Sequence, residues 1–112
     1  MSMQERRKHP RKNVNQPIKV IDQDRAELIG HLVDISLEGF MVITPYVIDV
    51  NRVFQVCLEL PQAAGMPSLA LGVECLWREL SGDRQTYWAG FQIIDISSAS
   101  CADLGRFIDD HL

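Results

Sequence analysis

Between residues 17 and 94, apolar side chains return at every second position in short runs. That period constrains the fold more than any other feature of the chain. Successive side chains of a strand point to opposite faces, so a period of two marks a sheet with one buried side. Ile18 and Val20 flank Lys19 in the first run, and residues 28–35 and 40–44 form the second and third. Residues 53–60 alternate most cleanly, with Phe54, Val56, Leu58 and Leu60 on one face and Gln55 and Glu59 on the other. Residues 69–77 put Leu69, Leu71, Val73, Cys75 and Trp77 on one side, and residues 86–94 group Tyr87, Ala89, Phe91 and Ile93. Six short runs separated by turn-prone segments (residues 22–24, 45–51, 61–68 and 81–83) predict a mainly β fold, a six-stranded antiparallel barrel or sandwich.

The last fifteen residues change period. Ser97 or Ser98 can cap a helix start. Cys101, Leu104, Phe107 and Ile108 then share one helical face, which needs a partner, and the end of a small barrel supplies one. Gly105 weakens this helix by about 1 kcal/mol relative to Ala.

Charge divides the chain unevenly. The net charge is −4, yet Arg6, Arg7, Lys8, Arg11, Lys12 and Lys19 all precede residue 20, with Glu5 the sole acid among them. The rest is an acidic body. Residues 1–16 have no apolar period and repel themselves, so they read as a basic arm that is mobile without a ligand, ahead of a single domain over residues 17–112. An acidic body argues against binding nucleic acid over the whole surface. The apolar runs are far too short to span a bilayer, and the polar start resembles no secretory signal. The expected compartment is the cytoplasm. Cys57, Cys75 and Cys101 form no C-x-x-C pair and fit reduced thiols there.

Catalytic patterns fail quickly. His9, His31 and His111 have no neighbour at metal-ligand spacing, and no G-x-S-x-G, P-loop or H-E-x-x-H occurs. The sequence therefore predicts a binding module with no metal and no catalytic residue, not an enzyme.

Two short motifs remain. One is Arg7-Lys8-His9-Pro10-Arg11, an R-x-x-x-R preceded by Arg6. The other is Asp34-Ile35-Ser36-Leu37-Glu38-Gly39, a D-x-S-x-x-G between the second and third predicted strands. Either alone is weak, since basic tails and polar turns are common. Together, in this order, with six strands and one helix, they resemble the signature of PilZ domains. The resemblance extends from Glu5 through the strands at residues 73–77 and 89–91 to the final helix. It implies a six-stranded PilZ-type barrel with a C-terminal helix, and a receptor for the bacterial second messenger cyclic di-GMP.

The residue chemistry suits that ligand. A guanidinium can fork onto guanine O6 and N7, stack on a base, or pair with phosphate, which are the roles implied for Arg7 and Arg11. An ionised Asp34 accepts from the N1–H and amine of guanine, donors that adenine does not present together. The Ser36 hydroxyl can donate to phosphate, and Gly39 allows close backbone approach or a positive φ. For Arg6 the resemblance implies that two intercalated ligands bind per chain. Trp77 reads equally as a core side chain on the Leu71–Cys75 face or as a ring at the ligand edge; Tyr87 and Trp88 read as barrel core and surface. The output, whether motility, biofilm or exopolysaccharide control, is expected to pass through an effector protein that the sequence does not identify. Two alternatives stand beside this reading: a ligand-independent interaction module of the same fold, and a non-specific nucleic-acid binder gripping phosphates with its arm.

Overall fold

The computed structural model describes residues 10–112. Arg6 and Arg7 lie outside the described residues. The elements in order are β1 (Lys12–Asn13), β2 (Lys19–Asp22), β3 (Glu27–Ile35), β4 (Gly39–Thr44), β5 (Val53–Glu59), β6 (Leu69–Leu80), β7 (Tyr87–Asp95) and α1 (Ser98–His111). All strand pairings are antiparallel, in the order β1-β3-β2-β5-β6-β7-β4. An additional β3–β4 pairing closes β2 to β7 into a six-stranded barrel.

The strand added to the six is β1. It carries no apolar alternation, and backbone geometry alone reveals it. Lys12 pairs with Ile35 and Asn13 with Asp34, the Val14 N–H donates to the Val33 carbonyl at 2.9 Å, and the Leu32 N–H donates to the Ile18 carbonyl at 2.9 Å. β2 then takes up the same edge of β3 at Lys19 opposite His31. Residues 12–22 thus run along one edge of β3, interrupted around Pro17. This carries the arm's end to the point where β3 stops.

The alternating side chains fill the barrel. Val20, Val56, Leu58, Leu71, Val73, Cys75 and Ala89 are fully or almost fully buried, and Phe91 stacks on Phe40 with ring centroids 5.2 Å apart. Leu60 falls just past the end of β5 and is half-buried. Ser97 is the N-cap of α1, its hydroxyl accepting the Ser100 N–H at 3.0 Å. The predicted apolar stripe then seats Leu104, Phe107 and Ile108 in the core. β3 ends, β4 begins and β7 ends at the same barrel end, because Ile35 opposes Phe40 and Gly39 opposes Gln92. The helix departs from this end, and Lys12 Nζ donates to the Ile108 carbonyl near its last turn at 3.5 Å.

One expectation is corrected. Trp77 does not continue the face of Leu71, Val73 and Cys75. The β6–β7 register shifts between Cys75, opposite Phe91, and Trp77, opposite Gly90. Leu76 is the extra residue of a β-bulge, and such an insertion reverses the facing of everything after it. Directly opposed residues share a face. Trp77 therefore lies on the outer face with Gly90, away from the buried Ala89 and Phe91. Its ring occupies the space a side chain at Gly90 would need. Among the described residues, no helix is long and apolar enough to cross a membrane.

Candidate functional site

The two motifs meet where β1 joins the end of β3. Pairing of Asn13 with Asp34 brings the preceding Arg11 alongside, and Arg11 Nη1 lies 3.6 Å from Asp34 Oδ1. Both side chains are largely covered, at 27% and 14% exposure. Partial burial weakens solvent screening, so this pair matters more than an ion pair on an open surface.

The D-x-S-x-x-G segment continues as a tight β3–β4 turn. The Ser36 N–H donates to the Gly39 carbonyl at 2.9 Å, and the Ser36 hydroxyl accepts the Glu38 N–H at 3.1 Å. The same hydroxyl donates to the Gly39 carbonyl at 3.5 Å, and Ser36 is 3% exposed. Its first task is thus to hold the turn. On the far side, the Ile93 N–H donates to the Glu38 carbonyl at 2.8 Å, tying the turn to β7.

Gly39 is required by proximity. A Cβ there would fall under 3.0 Å from the Phe91 carbonyl oxygen, and Gly39 is not among the residues with positive φ. Of the two reasons a glycine could serve here, close backbone approach is the one that holds.

A cleft of about 220 Å³ opens over this junction. Arg11, Ser36 and Gly39 line it from the motifs. Glu38, an intervening residue of the second motif, completes the lining with Leu76, Phe91 and Gln92, and none of these four was read as a site residue from the sequence. Asp34 stands behind Arg11, and Trp77 is not in the lining. Leu76 carried a sequence signal: it is a large apolar side chain following Ala70, Gly72 and Glu74 on the face that the period assigns to solvent.

A larger cleft of about 520 Å³ lies at the opposite end of β3, walled by Leu28, Ile29, Tyr46, Val47 and Phe54. No described motif residue lines it. Its Arg25 and Arg52 sit among Asp22, Glu27 and Asp49, and Arg52 Nη1 lies 3.6 Å from Asp49 Oδ2. Volume alone would favour that cleft, but the convergence of two motifs on the smaller one identifies the candidate site. Among the described residues, no three metal-ligating side chains gather.

The family model of the PilZ domain matches residues 5–110. The chain belongs to the PilZ domain family. The match runs from the arm through β7 to the end of the helix, taking in both motifs. Solved structures share the fold at low identity. MrkH of K. pneumonia in complex with cyclic di-GMP aligns with a TM-score of 0.76 at 14% identity, over 94% of this chain and 52% of MrkH. The inhibitor of motility MotI/DgrA of Bacillus subtilis aligns with a TM-score of 0.69 at 11% identity, over 96% of this chain and 54% of that one. The PilZ domain of CeSA from a cellulose-synthesizing bacterium aligns with a TM-score of 0.60 at 15% identity, over 88% of this chain and 94% of that domain. The chain spans about half the length of MotI and of MrkH. No curated protein matches the chain.

Proposed function

We infer that the chain is a receptor for cyclic di-GMP, held in the cleft where β1 meets the β3–β4 turn. The observation that carries this reading is the Arg11–Asp34 pair at 3.6 Å, which brings the R-x-x-x-R and D-x-S-x-x-G motifs of a PilZ domain to one place. The likeness in fold to MrkH, solved with cyclic di-GMP, supports it.

Each component suits a ligand with two phosphates and two guanines. A guanidinium has five N–H donors, so Arg11 can stay paired with Asp34 and still offer donors to phosphate or to the guanine O6/N7 edge. Arg6 and Arg7 supply further cationic groups from the arm. Arg6, as the residue before the motif, favours two intercalated ligands per chain. Asp34 acts by orienting Arg11 and accepting from a guanine edge. Ser36 shapes the turn that floors the site, Gly39 keeps that floor open, and Trp77, on the outer face of β6 and outside the cleft lining, is the candidate ring for the ligand's edge.

The reading is of a binding module: membership of the PilZ domain family supports it, and the Ser36 hydroxyl is engaged with the main chain. Ligand bridges the arm and the barrel, and the surface so formed is read by an effector protein in the cytoplasm. A ligand shifts such an equilibrium only by its preference for the bridged state.

Calorimetric titration with cyclic di-GMP, cyclic di-AMP and duplex DNA tests the reading. Cyclic di-GMP is expected to bind at micromolar concentration or below, with a stoichiometry near two, and the other two far more weakly. Arg11→Ala is expected to cost about 1–3 kcal/mol, or about five- to 150-fold in affinity. No uptake of cyclic di-GMP would leave a ligand-independent interaction module. Salt-sensitive uptake of any DNA would leave a phosphate-gripping arm.

A further inference from the structure

The wall of the cleft facing the motifs comes from β6 and β7, and its make-up bears on how a base would lie there. The bulge between Cys75 and Trp77 is local: Cys75 is fully buried opposite Phe91, while Leu76 is 47% exposed and lines the cleft. Bulges near functional sites re-aim a side chain, and here the re-aimed residue is a leucine. Trp77, the residue after the bulge, lies against Gly90.

Beside it, Gln92 sits directly opposite Gly39 on one side and Glu74 on the other. Gly39 has no side chain to lay over Gln92, which is exposed and lines the cleft. An apolar side chain and a carboxamide therefore line the same cleft as Arg11 and the Ser36 turn. A nucleobase needs that pairing: an apolar surface for its face, and a group that donates and accepts for its edge.

We propose that Leu76 and Gln92 are ligand-contacting residues, Leu76 as the platform for a purine face and Gln92 as a hydrogen-bonding partner for that base. The assignment rests on the cyclic di-GMP reading and goes beyond it, since neither residue belongs to either motif. The carboxamide offers one acceptor and two donors, so it matches the N1–H and O6 of guanine and, with the amide turned over, adenine as well. Gln92 therefore contributes affinity, while discrimination between the bases stays with the arginines and Asp34.

The test is cyclic di-GMP titration of the full chain carrying Leu76→Ala, Leu76→Met, Gln92→Ala or Arg11→Ala, beside wild type, at low and high salt. Leu76→Ala gives up the burial of about half a leucine and is expected to weaken binding roughly five-fold, equally at both salt concentrations. Leu76→Met restores most of that loss, because it keeps an apolar platform of similar volume. Gln92→Ala weakens binding about two- to twelve-fold, the range of one net hydrogen bond. Arg11→Ala weakens it too, but flattens the salt dependence. Unchanged melting temperatures for the Leu76 and Gln92 variants show that the fold is intact. Wild-type affinity in both Leu76→Ala and Gln92→Ala, with Arg11→Ala still impaired, overturns this assignment alone. Absence of nucleotide uptake by wild type overturns it together with the receptor reading.

Discussion

Replacing Gly39 with alanine should damage this barrel far more than the size of a methyl group suggests. The new Cβ would fall under 3.0 Å from the Phe91 carbonyl oxygen, where real Cβ atoms essentially never sit, and 3.4 Å from the Gln92 Cα. Both are backbone atoms, so no side chain can rotate away. Relief requires β4 and β7 to part at the end of their ladder. Parting there strains the Ser36 N–H to Gly39 carbonyl bond at 2.9 Å and the Ile93 N–H to Glu38 carbonyl bond at 2.8 Å. Overpacking of this kind costs about 1–3 kcal/mol and each backbone bond about 0.5–1.5 kcal/mol, so a total of about 2–6 kcal/mol is expected. For a domain of this size that lowers the melting temperature by about 10–40 °C. Gly82→Ala is the control, because a Cβ at Gly82 meets nothing within 4 Å. Differential scanning calorimetry of both variants gives the answer. A Gly39→Ala protein that melts within a few degrees of Gly82→Ala and of wild type would refute the argument from close approach.

Three further outcomes follow from the same geometry. Ser97→Ala removes the hydroxyl that accepts the Ser100 N–H at 3.0 Å, and should cost about 1 kcal/mol in urea denaturation. The Asp83 carboxylate accepts from the Ser81 hydroxyl, the Gln85 and Thr86 N–H groups and the Thr86 hydroxyl, which hold its pKa far below the usual 3.8. A depressed pKa contributes stability above the ordinary carboxylate value that is lost as pH falls below it. The urea midpoints of wild type and Asp83→Ala should therefore differ at neutral pH and converge in acid. Burial pushes the Cys75 thiol pKa up, so a thiol reagent should modify the half-buried Cys57 and Cys101 first and reach Cys75 only once denaturant opens the barrel.

Much of the fold was legible because a half-buried sheet writes its period into the sequence. Each of the six runs became a barrel strand, and Ser97 and the Leu104–Phe107–Ile108 stripe marked the helix. The rest was hidden for identifiable reasons. β1 is two residues, Lys12 and Asn13, whose strand character comes from pairing with Ile35 and Asp34 and from no property of their own. The bulge at Leu76 defeats any period-two reading, which carries on past the inserted residue and puts Trp77 on the wrong face. The site divides in the same way. Arg11, Asp34, Ser36 and Gly39 lie in motifs, and the pairing of β1 with β3 brings them together. Leu76 and Gln92 join them only through sheet register, across a separation that a linear motif cannot span. Ser36, read from the sequence as a ligand group, lines the cleft and also holds its own turn, which the motif did not reveal.

Amide chemical-shift mapping on addition of cyclic di-GMP asks which of the two clefts takes the ligand. The largest changes are expected on residues 11–13, 34–39, 76 and 92, around the 220 Å³ cleft, while Tyr46, Val47 and Asp49 stay unmoved. Changes centred on Tyr46, Val47 and Asp49, with Arg11 and Ser36 unaffected, would contradict that placement.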